Sequence, residues 1–138
     1  MKVFIDTNIF LDLFLDREKF ADAAESLLLE CEQGRIEGVT SASNVINIYY
    51  LVNQQKTKVE AKRIIRKLLN FVSVPATHHK DLLLAMESEF SDFEDAVQYF
   101  TALNVVGLNY IITRNKKDYK TSSIGVLTAE EFVNKFGI

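Results

Sequence analysis

Four aspartates in three well-separated stretches define the chemistry open to this chain. Asp6 ends the hydrophobic run Met1-Lys2-Val3-Phe4-Ile5, Asp92 and Asp95 open the segment Asp92-Phe93-Glu94-Asp95, and Asp118 follows shortly after Tyr110-Ile111-Ile112-Thr113. Carboxylates brought together repel one another unless a cation lies between them, and hard oxygen donors suit Mg²⁺ or Mn²⁺ better than zinc. Such ions generate hydroxide, orient a phosphodiester and stabilise the leaving oxygen of an in-line displacement, which is the chemistry of a nuclease. Competing chemistries lack their residues: the chain has no metal-binding cysteine pattern, His-Glu-x-x-His, glycine-rich phosphate loop or nucleophile elbow.

Each of these acids also has a plain structural reading. Asp92-x-x-Asp95 fits an N-cap followed by an acid that favours the helix dipole. Asp6 in Asp6-Thr7-Asn8 fits a turn former that caps the next helix, and Asp118 fits a loop acid. Both roles are compatible in one residue. His78 and His79 are adjacent at a helix start, so they project about 100° apart and are expected at the surface rather than as a ligand pair. Tyr49, Tyr50 and the phenylalanines are expected in the core.

The elements that must position the acids are legible from periodicity. Met1–Ile5 and Tyr110–Thr113 read as buried parallel strands, with shorter strands expected at Gly38–Thr40, Val72–Val74 and Ile124–Leu127. Helical spacing runs through Ile9–Phe14, Phe20–Glu32, Val45–Leu51, Lys56–Phe71, Lys80–Glu89 and Phe93–Leu103. Gly34 marks a helix stop, and the only proline, Pro75, ends the third strand. In the Lys56–Phe71 segment, Ala61, Ile64, Ile65, Leu68 and Leu69 line one face, and Lys62, Arg63, Arg66 and Lys67 give the other a basic character expected of a solvated surface. Thr128 caps a last helix, Ala129–Phe136, with Glu131 completing a capping box. Strands alternating with helices through short connections predict a parallel sheet covered by helices, in one domain spanning residues 1–138. In such sheets ligands gather outside the carboxyl ends of the strands, where Asp6 and Asp118 fall.

Composition narrows the setting. With 48% hydrophobic and 25% charged residues the chain reads as globular. Cys31 has no partner in the chain and continues the apolar pattern of Leu27–Leu29, which suits a buried thiol in a reducing compartment. No apolar run approaches the roughly 20 residues needed to cross a bilayer, and Asp6 arrives too early for a signal peptide, so a cytoplasmic protein without membrane contact is expected. The net charge of −3 gives no support to electrostatic capture of nucleic acid by the whole molecule, so local basic groups and metal ions must offset it.

Three motifs in this order resemble the PIN domain family, which includes the VapC-type toxin ribonucleases of bacterial toxin–antitoxin pairs. They are Val3-Phe4-Ile5-Asp6-Thr7-Asn8-Ile9-Phe10-Leu11-Asp12, Asp92-Phe93-Glu94-Asp95-Ala96-Val97-Gln98-Tyr99 and Tyr110-Ile111-Ile112-Thr113-Arg114-Asn115-Lys116-Lys117-Asp118-Tyr119, and the resemblance covers essentially the whole chain. It implies an α/β fold, a three-layer α/β/α sandwich around a short central parallel sheet. It also implies that Asp6, Asp95 and Asp118 ligate Mg²⁺ or Mn²⁺, with Asp92 adding a further carboxylate or holding a metal-bound water. Asn8, Thr113 and Asn115 then orient the ligands through hydrogen bonds, while Arg114, Lys116 and Lys117 are candidates for contact with the RNA backbone. The partners implied are an RNA substrate, an antitoxin that covers or inserts into the acidic groove, and a second copy in a homodimer.

One position departs from the pattern. The helix after Ser41 carries a Glu in the family, and the matching residue here is Asn47, which brings no negative charge and cannot act as a base. Either Asp92 or Glu94 compensates, or a single metal binds and activity is lowered. The expected function is therefore a metal-dependent endoribonuclease and toxin. The alternative is a catalytically weak or inactive PIN domain that binds RNA or protein. A phosphatase that uses Asp6 as nucleophile, as enzymes resembling haloacid dehalogenases do, calls for a second Asp two residues on, where this chain has Asn8.

Overall fold

Short runs rich in β-branched and aromatic residues pair side by side in the computed structural model, which describes residues 1–138. They are β1 (Lys2–Ile5), β2 (Glu37–Val39), β3 (Val72–Ser73), β4 (Tyr110–Ile112) and β5 (Gly125–Leu127), forming one sheet of order β3-β2-β1-β4-β5 in which every neighbouring pair is parallel. The strand at the centre is β1. It sets Phe4 against Val39 on one side and against Ile111 on the other.

Seven helices cover the sheet: α1 (Thr7–Phe14), α2 (Ala21–Glu32), α3 (Ala42–Gln55), α4 (Lys58–Leu69), α5 (His79–Glu87), α6 (Phe93–Leu103) and α7 (Ala129–Phe136). Side chains of a strand alternate between its faces, so β1 feeds two cores. Val3 and Ile5 join the larger one with Phe10, Leu27, Ile48, Leu68 and Phe132, which come from α1, α2, α3, α4 and α7. Phe4 joins the smaller one with Ile111, Tyr99 and Ala102 of α6, and Tyr119. Burial on both faces is why β1 reads as a continuous apolar run rather than an alternating one. The result is the three-layer α/β/α sandwich expected from the sequence.

Helix starts follow local chemistry. The side chains of Ser41, Thr57, Asp92 and Thr128 accept hydrogen bonds from the third backbone N–H of their helices, and Glu131 closes the capping box on Thr128. Several boundaries differ from the periodicity. The α3 helix begins at its Ser41 cap and runs on to Gln55 because Ile48 and Val52 keep it docked after Leu51. Thr57 starts α4 later than Lys56, and α1 starts at Thr7, directly after the Asp6 cap.

Five residues expected on buried faces are exposed instead: Tyr50, Leu69, Phe20, Phe93 and Phe136, the last three at 39%, 50% and 37%. Tyr50 is 63% exposed, and its ring meets only the edge of the half-buried Tyr49. Neighbouring residues of a helix point about 100° apart, so α3 can turn only one of the two tyrosines inward. Leu69 is half exposed because it follows Leu68, which takes the inward position at the end of α4. His78 and His79 are exposed, as expected, and the basic side chains of α4 face solvent.

A parallel sheet puts all its strand C-termini on one edge. The chain leaves β1 toward β2 and later crosses to β4 on the other side, so the crevice between β1 and β4 is the switch point where open α/β sheets bind ligands. Asp6 and Thr113 stand at its mouth.

The packing of α2 on β2 depends on Gly38. A Cβ there would lie 3.0 Å from the Cys31 sulfur and 3.3 Å from Cδ1 of Ile5. Gly38→Ala is therefore expected to destabilise the fold by about 1–3 kcal/mol, measured as a lower denaturant midpoint at unchanged slope. An unchanged midpoint would mean that the α2–β2 contact is slack.

Candidate functional site

Asp6 is the best-defined acid. It caps α1, its Oδ1 accepts from the Thr7 N–H at 2.7 Å, and its Oδ2 accepts from the Thr113 hydroxyl at 2.8 Å. The residue is buried, and burial raises its pKa against the opposing pull of Thr113, Thr7 and Gln98. The Asn115 N–H donates to the Thr113 oxygen, so the turn after β4 is tied to the same carboxylate through one hydroxyl.

Asp95 lies half-buried on the first turn of α6. Its pKa is pushed up to about 7, first by burial and then by the negative charges of Asp92, Asp6, Asp118 and Glu94. Asp92 caps the helix by accepting from the Asp95 N–H at 2.9 Å, so the capping reading of this acid is correct and leaves its second oxygen free. Asp118 is half-buried on a 3₁₀ turn, Lys116–Tyr119, where the sequence had indicated only a turn. The structure therefore brings Asp6, Asp92, Asp118 and Glu94 within electrostatic reach of Asp95. They do not close into a cage: no three acid, histidine or cysteine side chains stand at ligation spacing. Like charges with nothing positive between them keep apart, and Asp6 and Asp92 already spend oxygens on backbone N–H groups. As a donor set the site fits a hard divalent ion, since every available donor is oxygen and a cation would relieve the repulsion felt by Asp95.

The remaining expected residues divide. Asn47 donates to Glu94 at 2.5 Å, which turns the non-acidic position of α3 toward an acid of α6. Asn8 and Asn115 line a neighbouring depression with Asp12 and Arg114. Arg114 is not a free cation: its Nε lies 3.4 Å from the buried Asp12 carboxylate, and its guanidinium sits over the Phe20 ring. Lys116 is paired with Glu131 at 2.9 Å. Lys117 is exposed and lines a shallow depression of about 290 Å³ with Ser91, Asp118 and Lys120.

Beneath the acids runs a buried polar network that the sequence reading missed. The Thr40 hydroxyl donates to the Ile5 carbonyl at 2.8 Å, and the Asn44 amide donates to the Thr40 oxygen at 3.0 Å and to the Gln98 carbonyl oxygen. The Gln98 amide then donates to the Tyr119 hydroxyl. Burial, reinforced by the charges of Asp6 and Asp95, raises the Tyr119 pKa far enough to keep its proton. One signal for Gln98 was available, because it lies three residues after Asp95 and so on the same face of α6.

The PIN domain model matches residues 2–117. This chain belongs to the PIN domain family. Ribonuclease VapC1 of Aquifex aeolicus (strain VF5) is 28% identical over 143 aligned positions, covering 98% of this chain and 95% of that protein. Among solved structures, VapBC2 from Rickettsia felis, bound to a DNA fragment from its promoter, matches with a TM-score of 0.68 at 16% identity over 93% of this chain and 98% of that one. A toxin–antitoxin complex from Klebsiella pneumoniae matches with a TM-score of 0.66 at 21% identity over 92% and 97% of the respective chains. These structures share the fold of this PIN domain.

The raised proton affinity of Asp95 has a thermodynamic consequence. Between the ordinary value of 3.8 and about 7 the folded state holds more proton than the unfolded chain, so stability contributed by Asp95 falls as pH rises through that window. Asparagine resembles the protonated acid at all pH values. Asp95→Asn is thus expected to melt close to the native protein at about pH 4 and above it at about pH 8. Equal melting differences at the two pH values would show that Asp95 titrates normally.

Proposed function

We propose that this PIN domain is a metal-dependent endoribonuclease and the toxin of a bacterial toxin–antitoxin pair. In this reading Asp6, Asp95 and Asp118 would hold Mg²⁺ or Mn²⁺, with Asp92 as an accessory carboxylate. The observation that carries it is the gathering of acids around Asp95 at the carboxyl edge of the sheet, where burial first and then the charges of Asp92, Asp6, Asp118 and Glu94 push Asp95 up to about 7. The 28% identity to Ribonuclease VapC1 over nearly the full length of both chains supports the same reading. When bound, the ion supplies positive charge that activates water as a nucleophile and offsets charge on the leaving oxygen of a phosphodiester.

The chain's own residues do the positioning. Thr7 and Thr113 hold the two oxygens of Asp6, and the Asn115 N–H holds Thr113. Glu94, which receives the Asn47 amide, supplies the negative charge that Asn47 lacks. Of the three candidate basic residues we assign contact with the RNA backbone to Lys117, since Arg114 is taken up by Asp12 and Lys116 by Glu131. Residues 1–138 act as one domain, because β1 near one end of the chain pairs directly with β4 near the other.

The partners follow from the same reading. An antitoxin covers the acids; that the Klebsiella pneumoniae neighbour is a toxin–antitoxin complex supports such a partner. A second copy covers α5, which leaves Leu82, Leu83, Leu84 and Met86 between 42% and 68% exposed. The compartment is the cytoplasm, in keeping with a Cys31 thiol whose pKa burial pushes up to about 12. No helix is long and apolar enough to cross a membrane. A second reading, a weakly catalytic binding module, draws on the uncharged Asn47 and on the absence of three acids at ligation spacing.

Cleavage of mixed-sequence single-stranded RNA with Mn²⁺ separates these readings. Asp6→Asn and Asp95→Asn are expected to abolish cleavage, and Glu94→Gln to reduce it about 10- to 100-fold. Cleavage that survives both aspartate changes would overturn the site. No cleavage by the native protein, together with no rise in its melting temperature on adding Mn²⁺, would favour the binding module. For the dimer, light scattering should give twice the chain mass for the native protein and the chain mass for Leu83→Glu; a native monomer would refute it.

A further inference from the structure

The largest depression in the molecule, about 610 Å³, is separate from the acid cluster and is not used by the proposed reaction. It opens at the carboxyl edge of the sheet, between α1, the start of α2, the turn after β4 and the start of α7. Its volume lies within the roughly 300–1,000 Å³ typical of small-molecule sites. It also adjoins the acids. Asn8 lies two residues after Asp6, and Asn115, whose backbone N–H is bonded to the Thr113 oxygen, also lines the pocket.

We propose that this pocket is a nucleobase site, which receives the base of an RNA strand whose phosphate lies at the acid cluster, with preference for bases that carry an exocyclic amino group. The placement of the phosphate rests on the ribonuclease reading above. The affinity for a base rests on the pocket alone.

The lining suits a flat, uncharged ring with a hydrogen-bonding edge. Phe20 lines the pocket at 39% exposure, with the Arg114 guanidinium over one face of its ring at 4.3 Å from the centroid. Single-stranded RNA is recognised by such surfaces, with bases stacking on aromatic rings and guanidinium planes. Arg114 is fixed for this role. Asp12, 1% exposed, pairs with it at 3.4 Å and also with Arg17. The Arg114 Nε is itself buried against that carboxylate, so the guanidinium is held in place from behind.

Charge argues against a phosphate in this pocket. Asp12, Asp22 and Glu130 outnumber Lys19 and Arg114 in the lining, and Arg114 is already neutralised by Asp12. The carboxylates of Asp22 and Glu130 are exposed acceptors, which favour a base that donates from an amino group over uracil, which has none. The amides of Asn8 and Asn115 add both donors and acceptors for the edge of the base. A site that reads a base beside a site that cuts a backbone would make cleavage sequence-selective.

The test needs no assumption about catalysis. Adenosine, cytidine and uridine, which carry no phosphate, are titrated into the native protein while the amide signals of Ala23 and Ala129 are followed by NMR. Adenosine and cytidine are expected to shift both signals and to bind more tightly than uridine. Phe20→Leu, which keeps the apolar bulk and removes the aromatic face, should weaken them by about tenfold or more. In cleavage of mixed-sequence RNA it should lower total cleavage and alter the base found next to the cut. Absence of nucleoside shifts at both amides up to millimolar concentration, or equal shifts with inorganic phosphate, would overturn the proposal. So would a Phe20→Leu variant that loses only affinity for a protein partner. Nucleoside binding without any RNA cleavage would leave the base site standing and remove the ribonuclease reading.

Discussion

A carboxylate buried at the end of the central strand must have its charge answered, and Asp6 answers it through the neighbouring strand. Its Oδ2 accepts from Thr113, 107 residues away in sequence, and that bond exists only in the register that sets Ile5 against Ile112. A slip of one residue would turn the Thr113 side chain to the other face of the sheet and leave Asp6 buried without its strongest side-chain partner. The same register continues the backbone ladder, with the Asp6 N–H on the Ile112 carbonyl and the Thr113 N–H on the Leu127 carbonyl. The start of α1, the turn carrying Asn115 and the 3₁₀ turn carrying Asp118 all hang from this pair.

Around it the molecule divides its polar groups by task. Thr40, Asn44, Gln98 and Tyr119 are buried and bonded to one another, forming a floor with few alternative arrangements. The acids above that floor are crowded and unmatched by cations, a conflict that a fold maximising its own stability would remove. Asp95 absorbs most of it as a raised proton affinity. On the far side of Asp6 the larger depression holds the reverse arrangement, with Asp12 paired to Arg17 and Arg114 and an aromatic ring left open to solvent.

Much of the scaffold was legible in the residue pattern. The buried strands at both ends of the chain, the cap at Asp92 and the Thr128–Glu131 capping box follow from local rules, and each appears where those rules put it. Tyr50 and Leu69 did not obey, because periodicity marks an apolar stripe without saying how wide a stripe the neighbours will cover. The network through Gln98 was invisible because a buried amide in a helix looks like a surface amide until its partners are known. The full length of α3 was missed because docking of Val52 extends the helix through polar residues.

By itself the sequence determined the order of strands and helices, the family and the position of each acid at a strand end or helix start, since these depend on contacts within a few residues. Tertiary structure decided which acids feel one another, that Asn47 meets Glu94, and that Arg114 and Lys116 are already engaged while Lys117 is free. It also decided that Asn8 and Asn115 line one pocket beside Arg114. Those outcomes depend on distance and burial between segments dozens of residues apart. Coulomb interaction and desolvation are functions of space, and only the packed sheet turns chain order into distance.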